Sequence, residues 1–178
     1  MNKIHIQYYP TQIGELMLGA YENQLCLLDF KHRKGRLRID NRLQKGLKAT
    51  YIEQDVAVLT KTRKQLDEYL AGKRKTFTVP LLTVGSEFQK SVWRALMNVP
   101  YGKTSTYLKI AQEINNPKAV RAVANANGAN AISLIIPCHR IIGSNGQLVG
   151  YAGSLPVKKR LLNIENSQRL SSAGIYNY

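Results

Sequence analysis

Ile132-Ser133-Leu134-Ile135-Ile136-Pro137-Cys138-His139-Arg140-Ile141-Ile142 is the stretch around which the chain is organised. Apolar residues flank Pro137, Cys138, His139 and Arg140 on both sides. Such a run reads as a buried strand that stops at a proline and delivers a cysteine and a histidine to an internal site. Cys138 alone has a bland reading, a small buried hydrophobe, which is the common fate of a free cysteine. That reading does not account for its neighbours. Burying a base and a permanent cation beside a thiol is costly unless they have work there.

Downstream, Gly143-Ser144-Asn145-Gly146-Gln147 has turn chemistry. Leu148-Val149-Gly150-Tyr151-Ala152-Gly153 is a glycine-flanked loop bearing one tyrosine, without a phosphate-binding glycine motif. Its glycines permit close approach of backbone to a ligand. Residues 154–156 open a last helix, with Val157, Leu161, Leu162 and Ile164 apolar and Glu165 near its end. Residues 167–178 are polar and are expected to be disordered.

Upstream, Ser86-Glu87-Phe88-Gln89 is a capping-box pattern. Phe88, Val92, Ala95, Leu96 and Val99 follow at helical spacing, and Trp93 reads as core. Residues 99–103 form a turn. Thr106 caps a helix carrying Leu108, Ile110, Ala111 and Ile114. Asn116 and Pro117 suit the cap and first position of the next helix, which runs to Ala126. Two short helices joined by a tight turn make a helix-turn-helix candidate. The second helix offers few long side chains to read base edges. Ala122, Ala126, Asn127 and Gly128 are small and let its backbone approach a minor groove or a phosphate backbone, with Arg121 the one long side chain able to enter a duplex. The alternative is that Ala122 and Ala126 pack against another helix and Arg121 is solvated.

The first 55 residues read as strands. Residues 4–8 alternate, Glu22-Asn23 turns a hairpin, and a further strand covers residues 50–58. The basic run Lys31-His32-Arg33-Lys34-Gly35-Arg36 reads as a solvated loop rather than a DNA contact. Residues 59–71 form a helix with Leu59, Leu66, Tyr69 and Leu70 on one side and Gly72 as its stop. Residues 80–85 look like a linker. The expected organisation is an α+β chain of two domains, 1–85 and 86–166, with all chemical motifs in the second.

Composition bounds the function. With 26 Lys and Arg against 11 Asp and Glu, the formal charge of +15 points to a polyanionic partner, most often nucleic acid. No apolar stretch is long enough to span a bilayer. Met1-Asn2-Lys3-Ile4-His5 lacks a signal-peptide core, so a reducing, cytoplasmic setting is expected (nuclear in a eukaryote), with Cys26 and Cys138 free thiols. His5, Cys26 and His32 lack the paired short spacing of a zinc site, so no metal is expected.

Phe88-Gln89-Lys90-Ser91-Val92-Trp93, Val99-Pro100-Tyr101-Gly102, Asn116-Pro117-Lys118-Ala119-Val120-Arg121-Ala122-Val123 and Ile136-Pro137-Cys138-His139-Arg140 occur in this order. Residues 86–165 thereby resemble the O6-alkylguanine-DNA alkyltransferases, also called methylated-DNA–protein-cysteine methyltransferases. The N-terminal half is similar only in its strand pattern and its Gly14 turn. The resemblance implies a ribonuclease H-like first domain and a winged helix-turn-helix-like second domain. It implies a protein that binds duplex DNA through the minor groove, flips out O6-alkylguanine (less efficiently O4-alkylthymine), and takes the alkyl group irreversibly. No cofactor is implied. A monomer is expected, and cooperativity along DNA stays open.

By the same resemblance, Cys138 is the acceptor, His139 the base acting through a water, and Glu165 the acid that orients it. Asn130 bridges the recognition helix and the active-site turn. Tyr151 protonates the departing guanine, Arg121 fills the gap left by the flipped base, and Tyr107 pushes on the target phosphate. Ala122, Ala126, Asn127 and Gly128 meet the DNA, and Val149, Gly150, Ala152 and Ser133 line the pocket. Gly128 stands where many members carry a second arginine, Ser133 where the human-type pocket has proline, and Ala152 where it has serine. Zinc ligands of relatives do not match His5 and Cys26.

Three other functions fit less well. A non-catalytic lesion-binding protein of the same fold would replace Cys138, usually by tryptophan. A transcription regulator would need more base-reading side chains than Arg121 supplies. A cysteine hydrolase normally keeps its histidine far along the chain from the nucleophile, not adjacent as in Cys138-His139.

Overall fold

The computed structural model describes residues 1–166, so the tail for which disorder is expected, 167–178, lies outside the described residues. The first domain opens with strands β1 (Asn2–Thr11), β2 (Gly14–Tyr21) and β3 (Gln24–Phe30). Helix α1 (Arg36–Leu47), strand β4 (Ala49–Glu53) and helix α2 (Ala57–Leu70) complete it. The sheet order is β3-β2-β1-β4, with β4 parallel to β1 and the other pairs antiparallel. Glu22 and Asn23 both take left-handed φ, 47° and 65°, as a two-residue hairpin with the right twist requires.

Alternation along the strands separates two cores. Leu16, Leu18, Ala20, Leu25 and Leu28 face α2 and the second domain, while Ile4, Ile6, Met17, Cys26 and Leu27 face α1. Helix α1 and the short extent of β4 correct the expectation of strands throughout the first 55 residues. The helix buries only Ile39 and Leu43, one turn apart, and its other positions are mostly charged or polar. An apolar stripe that thin gives little periodic signal.

The second domain consists of α3 (Glu87–Met97), α4 (Tyr107–Glu113), α5 (Val120–Gly128), a 3-10 turn at Cys138–Arg140, and α6 (Leu155–Glu165). The capping box is made: Ser86 Oγ accepts from Gln89 N and Gln89 Oε1 accepts from Ser86 N. Helix α5 starts at Val120, not at Pro117. Ala119 N donates to Asn116 O at 2.9 Å, so Pro117 occupies the second position of a β-turn, which its fixed φ equally suits.

Residues 132–142 are not the strand their apolar run suggests. Only isolated bridges form, Leu28 with Ile132 and Ser105 with Ile141, and Leu134 between them takes a left-handed φ of 73°. The exposed edge of β3 explains this. Leu28 N donates to Ala131 O and Ser133 N donates to Leu28 O, at 2.8 and 2.7 Å. The same edge takes up residues 80–82, with Leu25 N donating to Pro80 O and Leu82 N to Leu25 O. The supposed linker and the entry to the Cys138 turn therefore satisfy an edge strand that would otherwise be open. One hydrophobic core runs from β2 and β3 through α2 into α3, α5 and α6. Among the described residues no helix is long and apolar enough to cross a membrane.

Candidate active site

Cys138 sits on the 3-10 turn, and both ends of that turn are held. Ser105 N donates to Arg140 O and Ile142 N donates to Ser105 O, at 2.8 and 2.9 Å. Asn130, just past α5, donates from Nδ2 to Ile136 O at 2.9 Å and accepts at Oδ1 from Ile132 N at 2.9 Å. A single buried amide thus ties the end of α5 to the turn before the cysteine.

His139 and the side chain of Glu165 are fully buried and meet at 2.7 Å between Nε2 and Oε1. Arg140 clamps the same carboxylate twice, Nε to Oε2 at 3.0 Å and Nη2 to Oε1 at 2.9 Å, and donates from Nη1 to Val99 O at 2.7 Å. Burial pushes the Glu165 carboxyl up, but the imidazole and guanidinium outweigh this and hold it near 2. With a carboxylate on Nε2, that nitrogen carries the imidazole proton and Nδ1 is left as the acceptor. His139 Nδ1 is buried and has no hydrogen-bond partner. Burial holds the His139 pKa below its ordinary value despite Glu165, and burial raises that of Cys138 despite the Asn130 amide. The pair therefore rests as thiol and neutral imidazole, with a free basic nitrogen on the residue that follows the cysteine.

A cavity of about 350 Å³ opens on Cys138. Its walls are Tyr107, Ala124, Asn127 and Gly128 on one side and Gly150, Tyr151 and Ala152 on the other, with Arg33 and Lys34 at the rim. The Tyr151 hydroxyl and Asn127 Oδ1 are buried without partners. Unpaired polar atoms of this kind mark a site awaiting a polar ligand. Gly153 lets the loop fold onto the first domain, since a Cβ there would lie 2.5 Å from the Phe30 ring.

Cys138, Tyr151, Tyr107, Asn127, Gly128, Gly150 and Ala152 thus line one cavity, while His139, Glu165 and Asn130 are buried and do not line it. Arg121 and Ala122 are exposed on α5. Ala126 is not at the surface: it is 2% exposed in the core and its carbonyl accepts from Trp93 Nε1 at 2.9 Å. The helical stripe that carries it faces α3. Ser133 is not a wall of the cavity, because its turn onto the β3 edge points Oγ to Asp29 Oδ1 at 3.3 Å. Val149 does not line the cavity either; its carbonyl accepts from Lys158 Nζ at 2.8 Å.

Sequence reasoning missed several residues. The basic run is no solvated loop: Arg33 Nη2 donates to Gly128 O at 2.7 Å, Arg33 and Arg36 pair with buried Asp29, and Lys34 reaches the cavity rim. Lys158 is buried, and burial lowers its pKa to about 8 although the nearby thiol opposes this. Its place among Leu161, Leu162 and Glu165 on the buried face of α6 was a usable signal. Tyr69 reads as core and does lie there, yet its hydroxyl donates to Glu165 Oε1 at 2.7 Å. Among the described residues no group of three or more His, Cys, Asp or Glu is arranged to hold a metal.

Residues 4–83 match the family model for the 6-O-methylguanine DNA methyltransferase ribonuclease-like domain, and residues 87–167 that for its DNA binding domain. The methylated-DNA–protein-cysteine methyltransferase of Methanosarcina acetivorans is 42% identical over 159 residues, covering 89% of this chain and 96% of that protein. The constitutive enzyme of Bacillus subtilis is 51% identical over 164 residues, covering 90% and 96%. The crystal structure of Mycobacterium tuberculosis OGT in complex with DNA superposes with a TM-score of 0.78 at 36% identity, covering 92% of this chain and 94% of that one. The chain belongs to the 6-O-methylguanine DNA methyltransferase family.

Proposed function

We propose that this protein repairs O6-alkylguanine in duplex DNA by direct reversal, and O4-alkylthymine less efficiently. The observation that carries the reading is Cys138 on a ligand-sized cavity, followed in the chain by a buried imidazole whose Nδ1 is unpartnered and whose Nε2 faces Glu165. The +15 charge, Arg121 exposed on α5, and a relative solved with DNA support duplex DNA as the partner, approached through the minor groove. Arg121 fills the gap left in the stack, Tyr107 pushes on the target phosphate, and the lesion swings into the cavity.

His139 Nδ1 then takes the Cys138 proton, through a water, and the thiolate attacks the alkyl carbon. The S–C bond forms as the C–O6 bond breaks. The electron pair goes to the guanine, which takes the Tyr151 hydroxyl proton, and the proton that His139 took from Cys138 restores the Tyr151 hydroxyl. Cys138 ends as a thioether, so each molecule acts once. The protein works as a monomer in the cytoplasm, or the nucleus of a eukaryote, without a cofactor. Domain boundaries near residues 85 and 86 accompany this reading.

A titration against duplex DNA containing O6-methylguanine tests it. Repair is expected to stop at one lesion per protein molecule. Continued turnover would contradict the reading. Binding of the lesion without repair would favour the lesion-sensor alternative, which Cys138 itself disfavours.

A further inference from the structure

We infer that Tyr69, on α2 of the first domain, is a positioning residue for the Cys138–His139–Glu165 relay, so that the first domain completes the active site of the second. The inference rests on the alkyl-transfer reading. Tyr69 is fully buried, packed against the rings of Phe77 and Tyr101 at 5.5 and 6.3 Å between centroids. Core aromatics need no hydroxyl, and a buried hydroxyl normally finds a partner because leaving it unpaired is costly. Here the partner is the carboxylate that orients His139. Glu165 Oε1 accepts from Tyr69 at 2.7 Å, from His139 Nε2 at 2.7 Å and from Arg140 Nη2 at 2.9 Å. The Tyr69 hydroxyl also lies 3.4 Å from His139 Nε2.

A carboxylate oxygen shared among three donors pulls less on each of them. Tyr69 therefore moderates the hold of Glu165 on the imidazole proton, and with it the basicity of Nδ1, from a helix that never touches the cavity. It also fixes the rotamer of a carboxylate at the last turn of α6, next to the end of the described residues. The charged and titratable groups facing His139 are Glu165 and Lys158 from α6, Arg140 and Cys138 from its own turn, Tyr69 from α2, and Tyr151 from the glycine-flanked loop. Burial and the Glu165 charge hold the Tyr69 phenol far above its ordinary pKa, so it stays a donor through the neutral range. Loss of an outer-shell partner of this sort commonly slows chemistry about 10- to 100-fold.

The test is the single-turnover rate of methyl transfer from O6-methylguanine duplex against pH, for wild type and Tyr69→Phe. With the hydroxyl gone, Glu165 holds the imidazolium more strongly. The acid limb of the profile is expected to move to higher pH, and the plateau rate to fall about tenfold. An unchanged profile, or a lower plateau with the midpoint unmoved, would reduce Tyr69 to packing and overturn the inference. Should Tyr69→Phe fail to fold, 3-fluorotyrosine at position 69 retains the ring and hydroxyl while donating more strongly. It should move the midpoint the opposite way, and no movement overturns the inference. Wild type that transfers no methyl in this assay overturns the function and the inference together.

Discussion

Two buried carboxylates divide the molecule, and they are built on similar plans. Asp29 at the end of β3 is fully buried and pairs with Arg33 and Arg36, at 3.2 and 2.9 Å. Glu165 at the end of α6 is also buried and pairs with Arg140 and His139. The difference is one partner. Both cations on Asp29 are guanidiniums, which donate and cannot accept a proton. One partner of Glu165 is an imidazole whose Nδ1 is buried without a partner, on the residue after the cysteine that opens on the cavity. The first cluster joins domains: Ser133 Oγ donates to Asp29, and Arg33 reaches Gly128 O on α5. The second can move a proton. A buried ion cluster becomes a candidate site when one member keeps an unused valence, and burial or charge count does not distinguish the two.

The largest break in this comparison is Cys138→Ala, expected to abolish transfer while lesion binding persists. Loss of both, followed by gel shift and circular dichroism, would mean that the cysteine holds up the fold. Next come Glu165→Gln and Asp29→Asn. Glu165→Gln leaves buried Arg140 without its counter-charge and is expected to lower stability by about 3–5 kcal/mol in denaturant melts; Asp29→Asn is expected to cost less, since Arg36 keeps Asp40 and burial already disfavours the Asp29 carboxylate. Only Glu165→Gln should alter the acid limb of the transfer rate. A shift with Asp29→Asn would erase the distinction between the clusters.

Acid sharpens the contrast. Glu165 is held near 2, below its ordinary 4.5, so its contribution is complete above 4.5 and is lost as pH falls toward 2. That loss is on the order of 3 kcal/mol. His139, whose pKa burial lowers, loses in the same direction once pH drops below its ordinary value. Asp29 works oppositely, because burial raises its pKa despite the arginines, so its carboxylate is disfavoured and its protonation on acidification favours the folded state. Denaturant midpoints of wild type and Glu165→Gln between pH 6 and pH 2 should converge; parallel curves would contradict the assignment.

At the DNA face, Arg121→Ala should slow transfer from duplex about tenfold, equivalent to roughly 1.4 kcal/mol, and leave transfer from free O6-alkylguanine base nearly unchanged. Equal losses on both would remove its role in the stack. The smallest effect belongs to Gly128→Arg. A Cβ there meets nothing within 4 Å, and the added cation is expected to make one further phosphate contact. The salt dependence of binding should steepen by about one unit of slope.

Much of the second domain was readable in the chain because its motifs are local. The capping box, the Thr106 cap, and the adjacent Cys138 and His139 act through near neighbours. What was not readable depends on partners distant in sequence. Residues 132–142 carry every mark of a strand, and only the open edge of β3, about a hundred residues earlier, turns them into bridges and turns. Ser133 is drawn into the domain junction for the same reason. Tyr69 looks like a core aromatic because it is one, and its second duty rests on a carboxylate 96 positions away. Arg33 and Lys34 sit in a charge run whose ordinary meaning is solvation, and no local pattern shows that α5 ends against it. The Lys158 signal lay on α6, where a lysine occupies the apolar stripe that also carries Glu165.

The central claim, that Cys138 is the sink for the lesion's alkyl group, is tested most directly by mass. The intact protein is mixed with duplex DNA containing O6-methylguanine, weighed, and peptide-mapped. The account predicts one added methyl per molecule, on the sulfur of the peptide bearing Cys138, with guanine restored in the DNA. Bound DNA with neither partner changed in mass, or a methyl on any other residue, would contradict it.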